Sequence, residues 1–403
     1  MKSCINQYFK LKKNWHECYK FIVKKFNYRA SLAHIFLCIV VSLMLLPKAA
    51  AQTPLAAGSH EITLTTSDGL SRKYLIYIPS GVAQTTAAPV LLNLHGGGGS
   101  AAGAVFSTRL NETADSEGFI AVYPEGIPAP AGTPATPYAT WNAGICCGEA
   151  AAVDVDDVGF IDAVLDDLEL RTVVDPSRIY ISGFSNGAIM AHRIACETPE
   201  RFAAMVSVAA PSTLIPGSCI PQRRIPTLMV HGVADPCVSC EGGSDACGGC
   251  FQEYFNTLFG TNIPPITLDC ESVNDFAMDL SSSSNCNSTF MDTQPFETVS
   301  CRQWNECDGD GVVKLCNAEL LGHYWPSGNT IEICETFPNS NACLLWLQTF
   351  GPQDNTIDNS FLWGFLSSHQ LKNSAEIPTL PLLGSFALAG LIALTIWIRK
   401  NKL

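Results

Sequence analysis

A serine at the centre of a short glycine motif is the first candidate for chemistry in this sequence. Residues 183–187 read GFSNG and fit the G-x-S-x-G pattern around Ser185. The motif follows a strand-like run at 178–182 and precedes a helix-like segment at 186–196. A tight turn between a strand and a helix is where a nucleophile elbow holds its serine clear of the sheet. Ser185 is therefore the predicted nucleophile, and a glycine-rich turn without a catalytic role is the alternative.

An acid and a histidine suited to activate this serine follow it along the chain. A serine hydroxyl needs a base to take its proton and an acid to orient that base. Asp235 comes soon after the apolar run 227–230, and His323 follows the strand-like run 312–320. The order serine, acid, histidine is that of folds with this elbow. We predict Asp235 as the acid and His323 as the base, with His369 in the polar tail as the rival histidine.

The glycine-rich run at 95–100, HGGGGS, provides backbone donors for an oxyanion. A tetrahedral intermediate needs N–H groups aimed at its negative oxygen. The predicted donors are the N–H of Asn186, directly after the serine, and the N–H of Gly97. A phosphate-binding loop is the alternative, but the run lacks the Lys-Ser/Thr pair that ends a P-loop.

These residues sit in a pattern of strands that alternate with helices. Short apolar runs bounded by glycine, proline and polar residues predict strands, and the pattern predicts a mostly parallel sheet covered by helices on both faces. The fold class is therefore α/β, with antiparallel edge strands within 59–79. The predicted buried strands are 90–94, 119–123, 178–182, 204–209, 227–230 and 312–320, and the predicted helices include 160–170, 186–196, 251–259 and 342–350.

Five motifs together resemble a known family. They are LHGG at 94–97, WNAGICCG at 141–148, VDDVGF at 155–160, GFSNG at 183–187 and GHYWP at 322–326. The family is that of the secreted poly(3-hydroxybutyrate) depolymerase-like and feruloyl esterase-like α/β-hydrolases. The resemblance implies an α/β-hydrolase fold, a serine esterase without cofactor or metal, and Ser185, Asp235 and His323 as the triad.

The resemblance leaves the substrate open. A polyester is the first expectation, and feruloyl or acetyl esters of plant polysaccharide are the alternative. A second hypothesis, from another functional class, is a non-catalytic surface-binding protein on a hydrolase scaffold. A third is a peptidase on the same fold. The sequence departs from the family at 236–305, which is rich in Cys, Ser, Asn and Asp and predicts a disulfide-stapled insertion or cap.

The two ends of the chain predict export. Residues 1–51 combine a basic start, an apolar run at 35–46 and an Ala-rich cleavage site, which is typical of a signal peptide. Residues 377–403 begin with IPTL and continue into an apolar run and a basic tail, and they resemble an IPTL-type C-terminal sorting segment. We expect an esterase domain at 52–350, a linker at 351–376, transient membrane anchoring through the last segment and a sorting protease as partner. A plain single-span anchor is the alternative.

The region between the two ends is acidic and cysteine-rich. Residues 52–376 hold 12 basic and 36 acidic residues, which repel phosphate backbones and argue against nucleic acid as a partner. Fifteen of the 18 cysteines lie there, and the cysteines of an exported protein are oxidised to disulfides in the compartment that it enters. The odd number leaves at least one thiol without an intrachain partner. Disulfides are favoured over a zinc site for the two C-x-x-C pairs at 237–250, and a hairpin turn over a calcium loop for DGDG at 308–311.

Overall fold

The computed structural model describes residues 54–371 apart from residues 83–85, 129–138, 145–147, 211–222, 249, 261, 263–266, 330–333 and 335–338. The predicted signal peptide at 1–51 and the sorting segment at 377–403 lie outside the described residues. Within the described ranges, no helix combines the length and the apolar character needed to cross a bilayer.

One large sheet organises the chain. Its order is β1-β2-β4-β3-β7-β8-β9-β14-β13-β12, while β5 pairs with β6 and β10 with β11. In chain order the strands are β1 (Gly58–Thr65), β2 (Ser71–Ile78), β3 (Ala88–Leu94), β4 (Ile120–Pro124), β5 (Ile127–Pro128), β6 (Ala139–Thr140), β7 (Val174–Phe184), β8 (Ala204–Val208), β9 (Thr227–Gly232), β10 (Gly243–Gly248), β11 (Thr267–Cys270), β12 (Phe290–Phe296), β13 (Val299–Trp304) and β14 (Val313–Ala318).

The central strands β4, β3, β7, β8, β9 and β14 run parallel to one another. The edges are antiparallel, with β1 and β2 on one side and β13 and β12 on the other. This order, with an antiparallel second strand and a serine turn after the strand at the centre, is that of the α/β-hydrolase fold. The predicted fold class is confirmed.

Helices cover both faces of the sheet. In chain order they are α1 (Ala101–Thr108), α2 (Leu110–Glu117), α3 (Gly148–Ala152), α4 (Asp157–Arg171), α5 (Asn186–Glu197), α6 (Cys250–Phe259), α7 (Val273–Ser283), α8 (Asn341–Phe350) and α9 (Asn359–Ser367). Five of them are preceded by a capping residue whose side chain accepts a hydrogen bond from an N–H of the first turn. This bond satisfies a donor that has no partner within the helix. These caps are Ser100, Asp156, Ser272, Ser340 and Asp358.

The alternation of side chains along the strands separates two cores. On β3, Leu91 packs with α1, α2 and α9 on one face, whereas Leu92 packs with α4 and α5 on the other. On β7, Tyr180 and Ile181 divide in the same way. Burial on both faces explains why these strands are apolar throughout rather than alternating with polar residues.

The cysteine-rich segment is disulfide-stapled, as predicted, and its later part belongs to the central sheet. Strands β12 and β13 extend the sheet beyond β14, and α7 packs Val273 and Ala277 against Val313 and Leu315. The DGDG turn connects the antiparallel strands β13 and β14, as expected of a hairpin. The disulfides between described residues are Cys237–Cys250, Cys247–Cys270, Cys286–Cys307, Cys301–Cys316 and Cys334–Cys343, and Cys240 is a buried free thiol.

The linker predicted at 351–376 is wrong for residues 359–367. Residues 359–367 form α9, and Leu362, Trp363 and Leu366 are buried in the main core. The Trp363 ring stacks on Phe119 with the centroids 4.2 Å apart. Polar residues around a short apolar helix conceal this packing in the sequence. Residues 372–376 lie outside the described part.

Candidate active site

Ser185 occupies a strained turn between β7 and α5. Its backbone has φ 53° and ψ −123°, a conformation that residues other than glycine rarely adopt. Two glycines make the turn sterically feasible. A Cβ on Gly183 would lie 2.1 Å from the carbonyl oxygen of Gly187, and a Cβ on Gly187 would lie 2.3 Å from the carbonyl oxygen of Leu94. The backbone segments therefore touch where side chains would separate them.

The structure brings Ser185, His323 and Asp235 into one hydrogen-bonded chain. The Nε2 atom of His323 lies 2.9 Å from the Ser185 hydroxyl oxygen. On the other side of the ring, Nδ1 lies 2.8 Å from Oδ2 of Asp235. Asp235 and His323 are buried. In this arrangement the carboxylate accepts the Nδ1 proton, which leaves Nε2 to accept the serine proton.

The loop after β9 fixes the carboxylate of Asp235. Its Oδ1 accepts hydrogen bonds from the N–H groups of Cys237 and Val238, at 2.8 and 2.9 Å. The buried ring of His231 donates from Nε2 to the Val238 carbonyl at 2.9 Å, and the same nitrogen lies 3.9 Å from Oδ2 of Asp235. Burial lowers the pKa of His231, while the Asp235 carboxylate opposes that shift. His231 thus supports the turn after β9.

The end of α8 and the chain after it hold the backbone at His323 in place. The N–H of His323 donates to the carbonyl of Phe350, and the N–H of Gly322 donates to that of Pro352, both at 2.6 Å. The ring of Phe184, next to the serine, packs against the imidazole with the centroids 4.8 Å apart. Base and elbow therefore contact each other through an aromatic pair as well as through the hydroxyl.

The two predicted oxyanion donors lie side by side. A Cβ on Gly97 would be 3.3 Å from Cβ of Asn186. The neighbouring N–H groups already have partners, since Gly98 donates to the carbonyl of Ala139 in β6 and Gly99 donates to that of Gly96. Neither Gly97 nor Asn186 donates its N–H to another residue in the described part of the chain. Asn186 also begins α5, whose N-terminal dipole favours negative charge at this point.

The other histidines in the described part of the chain have other roles. His95 donates from Nδ1 to the Gly96 carbonyl and accepts at Nε2 from the N–H of Gly126, and burial lowers its pKa to about 4. His192 is buried on α5 against Phe276, and His60 contacts the carbonyl of Ala56. His369 follows α9, where its carbonyl accepts the Tyr180 hydroxyl. The structure thus brings His323, rather than His369, to the serine.

One group of side chains in the site has the residue types of a metal centre. Asp235, Cys237 and His323 offer ligand atoms within 4.8 Å of one another. The Cys237 sulfur is bonded to Cys250, however, and the other two residues are hydrogen-bonded to each other. A disulfide sulfur is not the thiolate that metals bind, so Asp235 and His323 are better described as members of the hydrogen-bonded chain that ends at Ser185.

Sequence reasoning missed the side chains that surround the oxyanion donors. Trp141 lies in one of the five motifs, but the sequence assigned it no role. In the structure it is fully buried and contacts both the glycine loop and Asn186. An isolated tryptophan in a loop of small polar residues was the only signal available.

Comparisons with known proteins find similarity to esterases. Residues 72–220 match the family described as Esterase PHB depolymerase. Feruloyl esterase B of Piromyces equi is 32% identical over 179 residues, which cover 43% of this chain and 31% of that protein. A bifunctional acetylxylan esterase/xylanase of Neocallimastix patriciarum is 28% identical over 167 residues, which cover 41% of this chain and 22% of that protein. The chain therefore spans less than a third of the length of these relatives.

A solved structure, the acetyl xylan esterase from Aspergillus awamori, aligns with 69% of this chain and 98% of its own length, at 14% identity and a TM-score of 0.42. The family match at 72–220 contains the elbow and the glycine loop, whereas Asp235 and His323 lie beyond it. The positions of the acid and the base therefore rest on the structure.

Proposed function

We propose that the protein is a serine carboxylic-ester hydrolase. The observation that carries the proposal is the hydrogen-bonded chain from Ser185 through His323 to Asp235, with the serine on an elbow. The similarity to the Esterase PHB depolymerase family supports it. A non-catalytic binding protein would have no need for a complete chain of this kind beside two backbone donors.

The geometry provides each step of ester hydrolysis. The Ser185 oxygen attacks the ester carbonyl while His323 Nε2 takes its proton, and the Gly97 and Asn186 N–H groups hold the negative oxygen. The tetrahedral intermediate expels the alcohol, which takes the proton from His323 and leaves an acyl-serine. Water then attacks the acyl group, gives a proton to His323 and releases the acid, and the proton returns to Ser185.

We infer a polymer ester as the substrate. The family description favours a short-chain polyhydroxyalkanoate as the first candidate. Feruloyl or acetyl esters of plant polysaccharide are the second candidate, favoured by the names of the relatives from Piromyces equi and Neocallimastix patriciarum. Hydrolysis of polyhydroxybutyrate granules, methyl ferulate and acetylated xylan by the purified protein separates them. Release of hydroxybutyrate supports the first, and release of ferulate or acetate alone supports the second.

Replacement of the nucleophile tests the mechanism. Ser185→Ala is expected to fold and to lose ester hydrolysis by about 10⁴-fold or more, as other triad removals do. His323→Gln is expected to be as inactive, because it removes the base. His369→Gln serves as the matched control and should keep normal activity. Ester hydrolysis by Ser185→Ala at the wild-type rate would refute the mechanism.

We also propose that the protein acts outside the cytoplasm, at the cell surface or after release. Five disulfides between described residues support an oxidising compartment. The basic and apolar segments at 1–51 and 377–403 would direct export and transient anchoring, with a sorting protease as partner. Mass spectrometry of the mature protein tests this proposal. Loss of both segments supports sorting, an intact Leu403 in membranes supports a plain anchor, and a reduced cytoplasmic protein contradicts both.

A further inference from the structure

We propose that Trp141 is a positioning residue that holds the two oxyanion donors in register with each other. The inference rests on the proposed esterase function and assigns a role to motifs that the triad does not use. The two donors come from separate parts of the chain, Gly97 after β3 and Asn186 at the start of α5. Trp141, in the loop after β6, hydrogen-bonds to both parts.

The indole ring of Trp141 fixes the glycine loop. Its Nε1–H donates to the carbonyl of His95 at 2.9 Å, two residues before Gly97. The His95 ring lies against the indole with the centroids 5.0 Å apart. His95 is itself tied on both ring nitrogens, to Gly96 and to Gly126. The start of the glycine loop is therefore held by one buried aromatic side chain.

The main chain of Trp141 fixes the elbow. Its N–H donates to Oδ1 of Asn186 at 2.8 Å, and its carbonyl accepts from Nδ2 of Asn186 at 3.3 Å. Asn186 is 2% exposed, so water does not compete for these bonds. The backbone N–H of the same residue is the second oxyanion donor. A shift of Trp141 would therefore move both donors relative to each other.

A buried ionic network holds the tryptophan in turn. The N–H of Asn142 donates to Oδ2 of Asp157 at 2.7 Å, and Oδ1 of Asp157 pairs with Arg72 at 2.7 Å. Arg193, on α5 behind the serine, donates to the carbonyl of Asn142 at 2.6 Å. Burial raises the pKa of Asp157, and the Arg72 guanidinium opposes that shift. The motifs at 141–148 and 155–160 thus meet behind the oxyanion donors.

The expected size of the effect follows from the tolerance of an oxyanion hole. Its donors act at about 2.7–3.1 Å from the oxyanion, and the loss of one costs about 10²–10³-fold in kcat. A displacement of about 1 Å can cost about 10²-fold. Replacing Trp141 leaves both backbone donors in place. The loss of kcat should therefore be smaller than the loss caused by a missing donor.

Trp141→Phe tests the proposal because it removes the indole N–H and keeps an aromatic ring and the main chain. We expect kcat to fall about 10–100-fold, with KM little changed. Inactivation by an aryl phosphonate, which places an oxyanion at the same donors, should slow by a similar factor. The pH profile of kcat should keep its midpoint, because the contacts of His323 are unchanged. Rates are expressed per active site by titration, which removes any loss of folded protein.

Asn186→Ala is the second variant, since it removes both side-chain bonds to Trp141 and keeps the backbone donor. It should lower kcat in the same way, and the double variant should lose less than the product of the two single losses, because both act on one pair of donors. Trp363→Phe, at a buried tryptophan of α9 in the main core, should keep normal kcat. If Trp141→Phe and Asn186→Ala keep wild-type kcat while Ser185→Ala is inactive, the positioning role is refuted and the esterase function stands. If Ser185→Ala is active, the esterase function fails first.

Discussion

The serine and the acid of the proposed triad are held in place by two different kinds of structure. Ser185 is fixed by backbone contact, because Gly183 and Gly187 let β7, α5 and the end of β3 touch. Asp235 lies on a loop that is fixed covalently, because Cys237 is bonded to Cys250 in the next helix along the chain. The first arrangement is centred on five consecutive residues and on their contact with the end of β3. The second depends on chain that lies beyond the family match.

This difference indicates how the site tolerates change. The two glycines of a short motif allow the close backbone contacts of the elbow, so its geometry should be lost through a single added methyl group. The acid loop is determined by a long, cysteine-rich segment, so it should be sensitive to reduction of a disulfide. The base lies between the two, bonded to the serine on one side and to the acid on the other. Perturbing each region in turn should therefore affect activity and stability in different proportions.

The elbow should give the largest effect. In Gly183→Ala the new methyl group would lie 2.1 Å from the carbonyl oxygen of Gly187 and 2.4 Å from its carbonyl carbon. Backbone cannot move aside as a flexible side chain can, so the serine must shift. We expect a loss of ester hydrolysis that approaches the roughly 10⁴-fold loss of a missing triad member. The free energy of unfolding, measured in urea, should fall by about 1–3 kcal/mol.

Gly364→Ala is the matched control for this prediction. Gly364 lies within α9, and a Cβ there would meet nothing within 4 Å. Alanine in a helix interior should leave activity unchanged and raise the free energy of unfolding by about 0.5–1 kcal/mol. Wild-type activity in Gly183→Ala would mean that backbone contact does not position the serine.

The acid loop should give an intermediate effect. Replacing both cysteines of the Cys237–Cys250 bridge by serine removes a cross-link with a sequence separation of 13. Such a loss typically lowers the free energy of unfolding by about 2–4 kcal/mol. Because Asp235 accepts from the N–H of Cys237, the carboxylate should also shift, and we expect kcat of the folded enzyme to fall about 10-fold or more.

The Cys286–Cys307 bridge is the control, because it lies beside the hairpin of β13 and β14 and contains no residue bonded to the triad. Its serine pair should lose a similar amount of stability and keep normal kcat per folded molecule. Equal kcat in the two double variants would contradict a positioning role for the first bridge. Active-site titration and denaturant unfolding on the same samples distinguish the outcomes.

Much of the fold and the order of the triad could be predicted because their signals are local. The strand, turn and helix around Ser185 are visible in consecutive residues, and Asp235 and His323 each follow an apolar strand. Strand β12 was not predicted, because its side chains are exposed on both faces and show no alternation of burial. Helix α9 was missed for a related reason, since its apolar residues are few and its partners, such as Phe119, are far away in sequence.

The contacts around the oxyanion donors could not be predicted for a different reason. They join residues 95, 141 and 186, which are distant in sequence, through an indole N–H and a side-chain amide. Spacing contains no information about such hydrogen bonds. The pairing of the cysteines is hidden in the same way, because many connectivities are compatible with one cysteine pattern.

The smallest effect concerns the buried histidines on the elbow side, His95 and His192. Burial lowers the pKa of each to about 4, so both are neutral in the folded protein at pH values where the unfolded chain, with an ordinary imidazole pKa of about 6.5, binds protons. Because the unfolded state then holds more protons, stability falls as the pH decreases from about 6.5 to about 4.

His192→Leu removes one such site. The Nε2 atom of His192 has no hydrogen-bond partner among the described residues, so the substitution breaks no bond of that atom. The slope of unfolding free energy against pH in this range should decrease by up to about 1.4 kcal/mol per pH unit. Urea unfolding at a series of pH values measures the slope, and equal slopes in wild type and His192→Leu would show that this histidine is not the proton-linked group.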